Sequence, residues 1–382
     1  MLFVHYAHPA GYPPVERAAR ILQSNGYDVR LVGAGGLVTD ALTAGSMAGL
    51  DVRLVSRAGR GVLQKLQYLR FLILCASHTL FWRPSWLYVS DSLASPIGLV
   101  ATITRVRVVY HEHDAPTDES PSRLMRIILR ARRALLRRAS IVVTPNEERS
   151  AAISEEGGGR LVLTVWNCPS LSEVQELRGM RTKQSPIKLV YHGSIVRARA
   201  PLTILDAMAR ADGQVELNVA GYETVGSRGY AEEIKRRANE LGIADRVNVM
   251  GPMPRTFLLE RVANCDIGLS LVPSASKDPN ERRMAGASNK AFEYLACGVP
   301  LIVADLDDWR RLFVDRGVAW ACEPEDVDSI VDLLNRAWQQ RDRLFEMGRA
   351  GRDLVRREWN YELQFAPVVH AMNDASGVER PA

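Results

Sequence analysis

The chain has 382 residues, 47% hydrophobic and 24% charged, which is enough for two compact domains and excludes a disordered chain. A net charge of +5 and a pI near 9.0 favour anionic partners, while five dispersed cysteines without CxxC spacing argue against a disulfide framework or a cysteine-zinc site. The first residues read directly as a strand with no secretory pattern. The most apolar stretch, residues 66–82, is broken by Gln67, Arg70, Ser77 and His78, so it reads as a core helix of a cytoplasmic protein rather than a membrane span.

Short β-branched runs at residues 2–7, 28–32, 52–55, 86–89, 106–111, 141–144 and 161–165 alternate with helical patterns at 15–24, 63–81, 95–103 and 121–139. This alternation predicts parallel βαβ units and a first doubly wound domain over residues 1–170. Residues 171–186 turn polar and lose their period, as an inter-domain linker does. Strand patterns resume at 187–191, 215–219, 247–250, 267–270, 301–304 and 318–320, with helices at 201–210, 231–241, 255–263, 290–296 and 327–336 between them. They predict a second Rossmann-like domain over residues 186–358. A last amphipathic stretch, 359–374, is expected to pack back on the first domain. Open α/β sheets bind ligands at the carboxyl ends of their strands, so a cleft between the two domains is the expected site.

The richest segment is Ser288-Asn289-Lys290-Ala291-Phe292-Glu293-Tyr294-Leu295-Ala296-Cys297-Gly298-Val299-Pro300, a polar-opened helix closed by Gly and Pro before a buried strand. Free N–H groups at Ser288 and Asn289, with Lys290 beside them, suit an anion. Glu293, one turn inside, suits two ribose hydroxyls, although an ordinary surface helix reads the same way. A second segment, His192-Gly193-Ser194-Ile195-Val196-Arg197-Ala198-Arg199-Ala200-Pro201-Leu202, follows the strand at 187–191 and brings two guanidinium groups to a strand end.

These two segments resemble the nucleotide-sugar signature of glycosyltransferase family 4, retaining enzymes of the GT-B fold. The resemblance runs from about Lys188 to Arg336 and thins towards the N-terminus. It implies an α/β GT-B architecture and transfer of a sugar from a nucleotide diphosphate donor to a hydroxyl acceptor, with no catalytic metal and no cofactor. On that pattern Glu293 holds the ribose, Arg199 takes the place of the diphosphate-neutralising lysine with Arg197 near it, and Gly193 and Gly221 let the donor approach the backbone. Two positions depart from the family: Ala285 stands where its first glutamate belongs, and Ser194 replaces its arginine.

In the first half, Tyr110-His111-Glu112-His113-Asp114 ends a strand, and the resemblance makes His113 the histidine that faces the donor sugar, with His111 the choice if the register slips by two. Strand alternation puts both imidazoles on one side. Gly11, in the first strand-to-helix loop, is an acceptor-side candidate without the family's Gly-Gly pair, whereas Gly33-Ala34-Gly35-Gly36 reads as a plain loop. His-x-His supplies too few ligands for a metal, and Asp305-Leu306-Asp307 only mimics a metal motif.

Arg123, Arg126, Arg130, Arg132, Arg133, Arg137 and Arg138 crowd one helix without an acidic residue, a surface suited to peripheral contact with anionic lipid and to a lipid-linked acceptor. Nucleic acid is excluded by the absence of interleaved aromatics or a known motif. Two alternatives remain: a nucleotide-sugar 2-epimerase of the same fold, and a non-catalytic GT-B partner subunit, which Ala285 and Ser194 suggest.

Overall fold

The structure is a computed structural model that describes residues 1–35, 47–56, 61–104, 106–116, 122–177, 179, 185–276 and 278–377. It comprises two units, Met1–Asn167 with Tyr361–Ala382, and Cys168–Asn360.

In the first unit β1 (Leu2–His5), β2 (Arg30–Gly35), β3 (Asp51–Ser56), β4 (Trp86–Ser90), β5 (Arg107–His111), β6 (Ile141–Thr144) and β7 (Val162–Thr164) form one parallel sheet in the order β3-β2-β1-β4-β5-β6-β7. Its central strands are buried from end to end, because crossover helices cover both faces of such a sheet. Those helices are α1 (Pro13–Ser24), α2 (Val62–Ser77), α3 (Ser95–Ile103), α4 (Arg123–Leu136) and α5 (Glu147–Glu156). Local chemistry sets their starts. Pro13 and Pro14 open α1, where a missing N–H costs nothing, and Ser122 and Asn146 cap α4 and α5 by accepting from the amides of Met125 and Arg149. Alternation along β1 sends Leu2 and Val4 to the layer that holds Phe71, Ile97 and Leu135, and Phe3 to the layer of Val15, Ala18 and Leu22.

The second unit repeats the plan. Its strands β8 (Ile187–Ser194), β9 (Val215–Tyr222), β10 (Val247–Met250), β11 (Ile267–Ser270), β12 (Leu301–Ala304) and β13 (Ala319–Cys322) run in the order β10-β9-β8-β11-β12-β13, all parallel. Helices α6 (Thr203–Arg210), α7 (Tyr230–Glu240), α8 (Arg255–Val262), α9 (Asn289–Ala296), α10 (Val327–Gln339) and α11 (Arg341–Arg357) flank it. The last helix, α12 (Tyr361–Ser376), belongs to the first unit, where Tyr361, Phe365, Val368, Val369 and Met372 join the layer under Phe3 and Tyr88.

Four sequence expectations change. The second strand starts at Arg30 and runs to Gly35, so Gly33-Ala34-Gly35 is strand rather than loop, and Gly36 lies outside the described residues. A β-carbon at Gly33 would stand 2.7 Å from Pro9 Cδ and 2.8 Å from the Ala7 carbonyl oxygen, so the first loop packs directly on that glycine. Residues 171–177 are no free linker. Gln175 donates its amide to the Ala296 carbonyl (3.0 Å), Arg352 Nε donates to the Gln175 carbonyl (2.6 Å), and Leu177 lies over Gly298. The last helix begins at Tyr361, because Trp359 is buried against Phe292 and Phe313 in the second unit. Finally, the apolar stretch at 63–81 is α2 followed by a π-helical turn, His78–Trp82, and only one of its sides is covered.

Candidate functional site

Each sheet reverses its strand order beside its first strand, between β1 and β4 and between β8 and β11. The carboxyl ends at such a reversal splay apart and leave a crevice, and most of the candidate residues stand there.

In the second unit Gly193 and Ser194 end β8, in register with Gly221 and Tyr222 of β9. A β-carbon at Gly221 would stand 1.8 Å from the Gly193 carbonyl oxygen, so only glycine lets the two strand ends come this close. Helix α9 points its first turn at the same edge. Ser288 is its N-cap with no side-chain cap bond, and the Lys290 Nζ lies 5.5 Å from the centre of the Tyr191 ring and 3.5 Å from where a Gly193 β-carbon would be. Burial first, and the Arg199 charge second, push the Lys290 ammonium down to about 7. Arg199 reaches Ser194 Oγ at 3.4 Å through Nη1, and its Nε is a buried donor with no partner among the described residues. Ser194 Oγ thus accepts from Arg199, the residue that the resemblance set against the diphosphate.

Glu293 is nearly fully buried, held by Arg255 Nη1 at 2.8 Å and by His192 Nε2 at 3.3 Å. Burial pushes the His192 imidazole down to about 4, so it is neutral and leaves Arg255 as the cation that pairs with the carboxylate. Arg255 also pairs with Glu173, and its Nη2 is buried without a hydrogen-bond partner among the described residues. Sequence reasoning missed His192, Arg255 and Glu173. Arg255 opens a helix and Glu173 lies in the segment read as linker, so neither spacing nor period could pair them with Glu293. The other candidates divide. Asn289 begins α9 at this edge, whereas Arg197 is turned to Glu233 and stacks 4.6 Å from the centre of the Tyr230 ring, away from Arg199. Asp305 is paired with Arg310 (2.6 Å). A cavity of about 360 Å³ does exist in this unit, but Ile187, Asp266 and Pro300 line it at the amino-terminal edge of the sheet, remote from these charges.

In the first unit His5, Ser90 and His111 end β1, β4 and β5 side by side. The His111 and His113 rings lie 3.9 Å apart, both buried, as alternation requires. His111 is locked by the Tyr88 hydroxyl at 2.5 Å, and burial pushes it down to about 3. His113 contacts Ser90 Oγ through Nε2 at 3.1 Å, and its Nδ1 is buried without a partner among the described residues. Burial, followed by the His111 and His5 imidazoles, holds it well below the ordinary histidine value, so it is a neutral imidazole. Glu112 faces the other way, tied to Arg132 and to the Tyr110 hydroxyl. Asp114 is exposed and accepts from Tyr12 at 3.2 Å, while Gly11 faces open space, where a side chain would meet nothing.

Asp91 was not legible in the sequence. Its φ is +66°, a conformation that costs a non-glycine residue on the order of 1–3 kcal/mol. The strain is held by its amide donating to the His111 carbonyl (3.0 Å) and by its Oδ1 accepting the His113 amide (2.9 Å). Burial first, then the Asp114 charge, push its carboxyl up to about 8.

Two parallel Rossmann-like sheets, each with a strand-order reversal that opens a crevice at its carboxyl edge, define a two-unit α/β protein. The family models agree: "Glycosyl transferases group 1" matches residues 175–354 and "Glycosyl transferase 4-like domain" matches residues 13–167. The chain belongs to the family 4-like glycosyltransferases and has the GT-B fold. It is 25% identical over 138 residues to the GDP-mannose-dependent alpha-(1-6)-phosphatidylinositol monomannoside mannosyltransferase of Mycobacterium tuberculosis, a match that covers 36% of this chain and 35% of that protein. Among solved structures, Anabaena HepE in complex with UDP and glucose superposes with a TM-score of 0.72 at 17% identity, covering 98% of this chain and 99% of that one. Sucrose-phosphate synthase of Thermosynechococcus elongatus gives a TM-score of 0.72 at 12% identity, covering 98% of each chain. At these identities the two structures share the fold. Among the described residues no helix is long and apolar enough to cross a membrane.

Proposed function

We propose that the chain is a retaining glycosyltransferase that moves a hexosyl group from a nucleoside diphosphate sugar to a hydroxyl acceptor, without a metal or other cofactor. One observation carries this reading. Arg199 and Lys290 converge on the Gly193–Gly221 edge beside the first turn of α9, where the buried Arg199 Nε lacks a partner among the described residues and burial lowers the Lys290 ammonium to about 7. Positive charge gathered at such cost fits a diphosphate. Glu293, paired with Arg255, is the carboxylate assigned to accept the ribose hydroxyls.

As the anomeric C–O bond breaks, its electron pair leaves with the diphosphate, and Arg199 and Lys290 stabilise the charge that develops there. The acceptor oxygen bonds to the anomeric carbon from the same side, and its proton passes to a diphosphate oxygen. On the first unit, neutral His113 offers a hydrogen bond to a sugar hydroxyl, and the edge near Gly11 and His111 is assigned to the acceptor. The mycobacterial relative, which acts on a phosphatidylinositol mannoside, supports a lipid-linked acceptor, and the arginines of α4 support contact of the protein with an anionic membrane surface.

A thermal-shift panel of UDP-, GDP- and ADP-sugars tests the donor site, since a ligand that binds only the folded state raises Tm. One nucleotide is expected to raise it, and Arg199→Ala and Glu293→Ala to abolish both the shift and transfer. Absence of any shift removes the donor assignment. Conversion of the nucleotide sugar to its epimer without an acceptor marks a 2-epimerase instead, and nucleotide binding with neither transfer nor hydrolysis marks a non-catalytic subunit.

A further inference from the structure

Helix α2 and the turn His78–Trp82 present an apolar stripe to solvent. Val62, Leu66, Leu69, Ile73 and Leu80 recur at intervals of three, four or seven residues along one side and are 73%, 54%, 52%, 59% and 58% exposed. Phe81 ends the stripe at 86% exposure. The opposite side, Tyr68, Phe71, Cys75 and Thr79, is buried in the first unit's core. A helix apolar on both sides normally has both covered, and a lone exposed leucine would need no explanation. This stripe runs for roughly 27 Å at 1.5 Å per residue, too long to be incidental.

The charges around it identify what covers it. No acidic residue occurs from Gly61 to Arg83, from Ser92 to His111 or from Ser122 to Asn146. Helix α3 contacts both α2 and α4 and adds exposed Val100 and Ile103. On α4, exposed Ile127 stands among Arg123, Arg126, Arg130 and Arg137, while Arg132 is turned inward to Glu112 and Glu156 and Arg133 pairs with Glu156 at 3.4 Å. On α2 itself, helical spacing sets Lys65 on one flank of the stripe and Arg70 on the other. Two copies joined through this face about a two-fold axis would set Lys65, Arg70 and Arg83 of one copy near those of the other, and α2 with its turn carries no carboxylate of its own to pair with them. An anionic monolayer meets both needs, with acyl chains for the leucines and phosphates for the flanking cations, whose stems reach up along the apolar surface.

We propose that α2 and its π-helical turn are a monotopic lipid-docking face, with the stripe from Val62 to Phe81 entering an anionic leaflet and Lys65, Arg70, Arg83 and the α4 arginines binding headgroup phosphates. This deepens the membrane contact proposed for α4 by assigning insertion to a different helix, and it does not depend on the sugar-transfer reaction.

The test is co-sedimentation of the full chain with vesicles of phosphatidylcholine, with and without phosphatidylglycerol. Binding is expected on the mixed vesicles, weakened by salt, and reduced more than tenfold by the triple substitution Leu66→Glu, Leu69→Glu, Ile73→Glu. That variant should keep the wild-type Tm and any nucleotide-induced shift, because all three side chains are exposed, so loss of docking is separable from loss of the donor site. Arg126→Glu with Arg130→Glu should lessen the dependence on phosphatidylglycerol. Failure of the wild type to sediment, or sedimentation unchanged by the triple substitution, overturns the proposal. So does a concentration-dependent dimer that the triple variant dissolves, which would make the face an interface between copies.

Discussion

Lys290 is the residue whose protonation should report on the donor site. In the free protein, burial and then Arg199 hold its ammonium down to about 7, whereas a bound diphosphate favours the charged form and raises it. Binding between those two values takes up a proton. Affinity for the nucleotide diphosphate should therefore be greatest below about pH 7 and fall as pH rises, by up to about tenfold per pH unit. Titration calorimetry in buffers of different ionisation heat measures the uptake directly. Lys290→Arg should flatten the profile, because a guanidinium stays charged throughout, and a wild-type affinity independent of pH would contradict the assignment. Glu293 and Lys290 stand in one readable motif, but what makes them work does not. Arg255 pairs with the carboxylate, Glu173 pairs with Arg255 and His192 lies beside it, all from other segments, so their meeting follows from tertiary structure rather than from any local pattern.

At the level of elements, the meeting of β8 and β9 decides whether a ligand can reach the backbone. Gly221→Ala places a methyl group 1.8 Å from the Gly193 carbonyl oxygen, which neither backbone can yield without breaking the register Gly193↔Gly221. The substitution should cost about 2 kcal/mol or more, seen as a lower urea midpoint, and should abolish nucleotide-induced stabilisation. Gly11→Ala serves as the contrast. Its β-carbon meets nothing, so stability should stay within about 0.5 kcal/mol of wild type. The sequence pointed to Gly11 and passed over Gly33, because a glycine's need depends on what packs against it, and Pro9 packs on Gly33 from a separate segment. The α2 helix teaches the same point. Its composition matched a buried helix, but composition cannot tell a side covered by a sheet from one left to another partner.

For the molecule as a whole, the chain leaves its first unit at Asn167 and returns to it at Tyr361. Five buried side chains on α12, namely Tyr361, Phe365, Val368, Val369 and Met372, complete one face of the first sheet. At about 1.5–3 kcal/mol each, their burial is on the order of 10 kcal/mol, comparable with the whole stability of a domain. A chain ended after Asn360 should therefore lose the cooperative thermal transition of the first unit, followed by calorimetry, while the nucleotide-induced shift of the second unit persists. Two intact transitions in the truncated chain would show that α12 is dispensable.

The alternation of short apolar runs with amphipathic stretches was sufficient for the two parallel sheets, since strand and helix periods are local properties of the chain. The helix Asn289–Ala296 was legible for the same reason, because its start at Ser288 and its stop at Gly298 and Pro300 lie within one short segment. Tertiary structure alone decided which buried groups hold Glu293, why Gly33 and Gly221 must lack side chains, how Asp91 is strained beneath His113, and which side of α2 remains uncovered. Each of these is a contact between segments far apart in the chain, and no local period encodes which distant surface a side chain will meet.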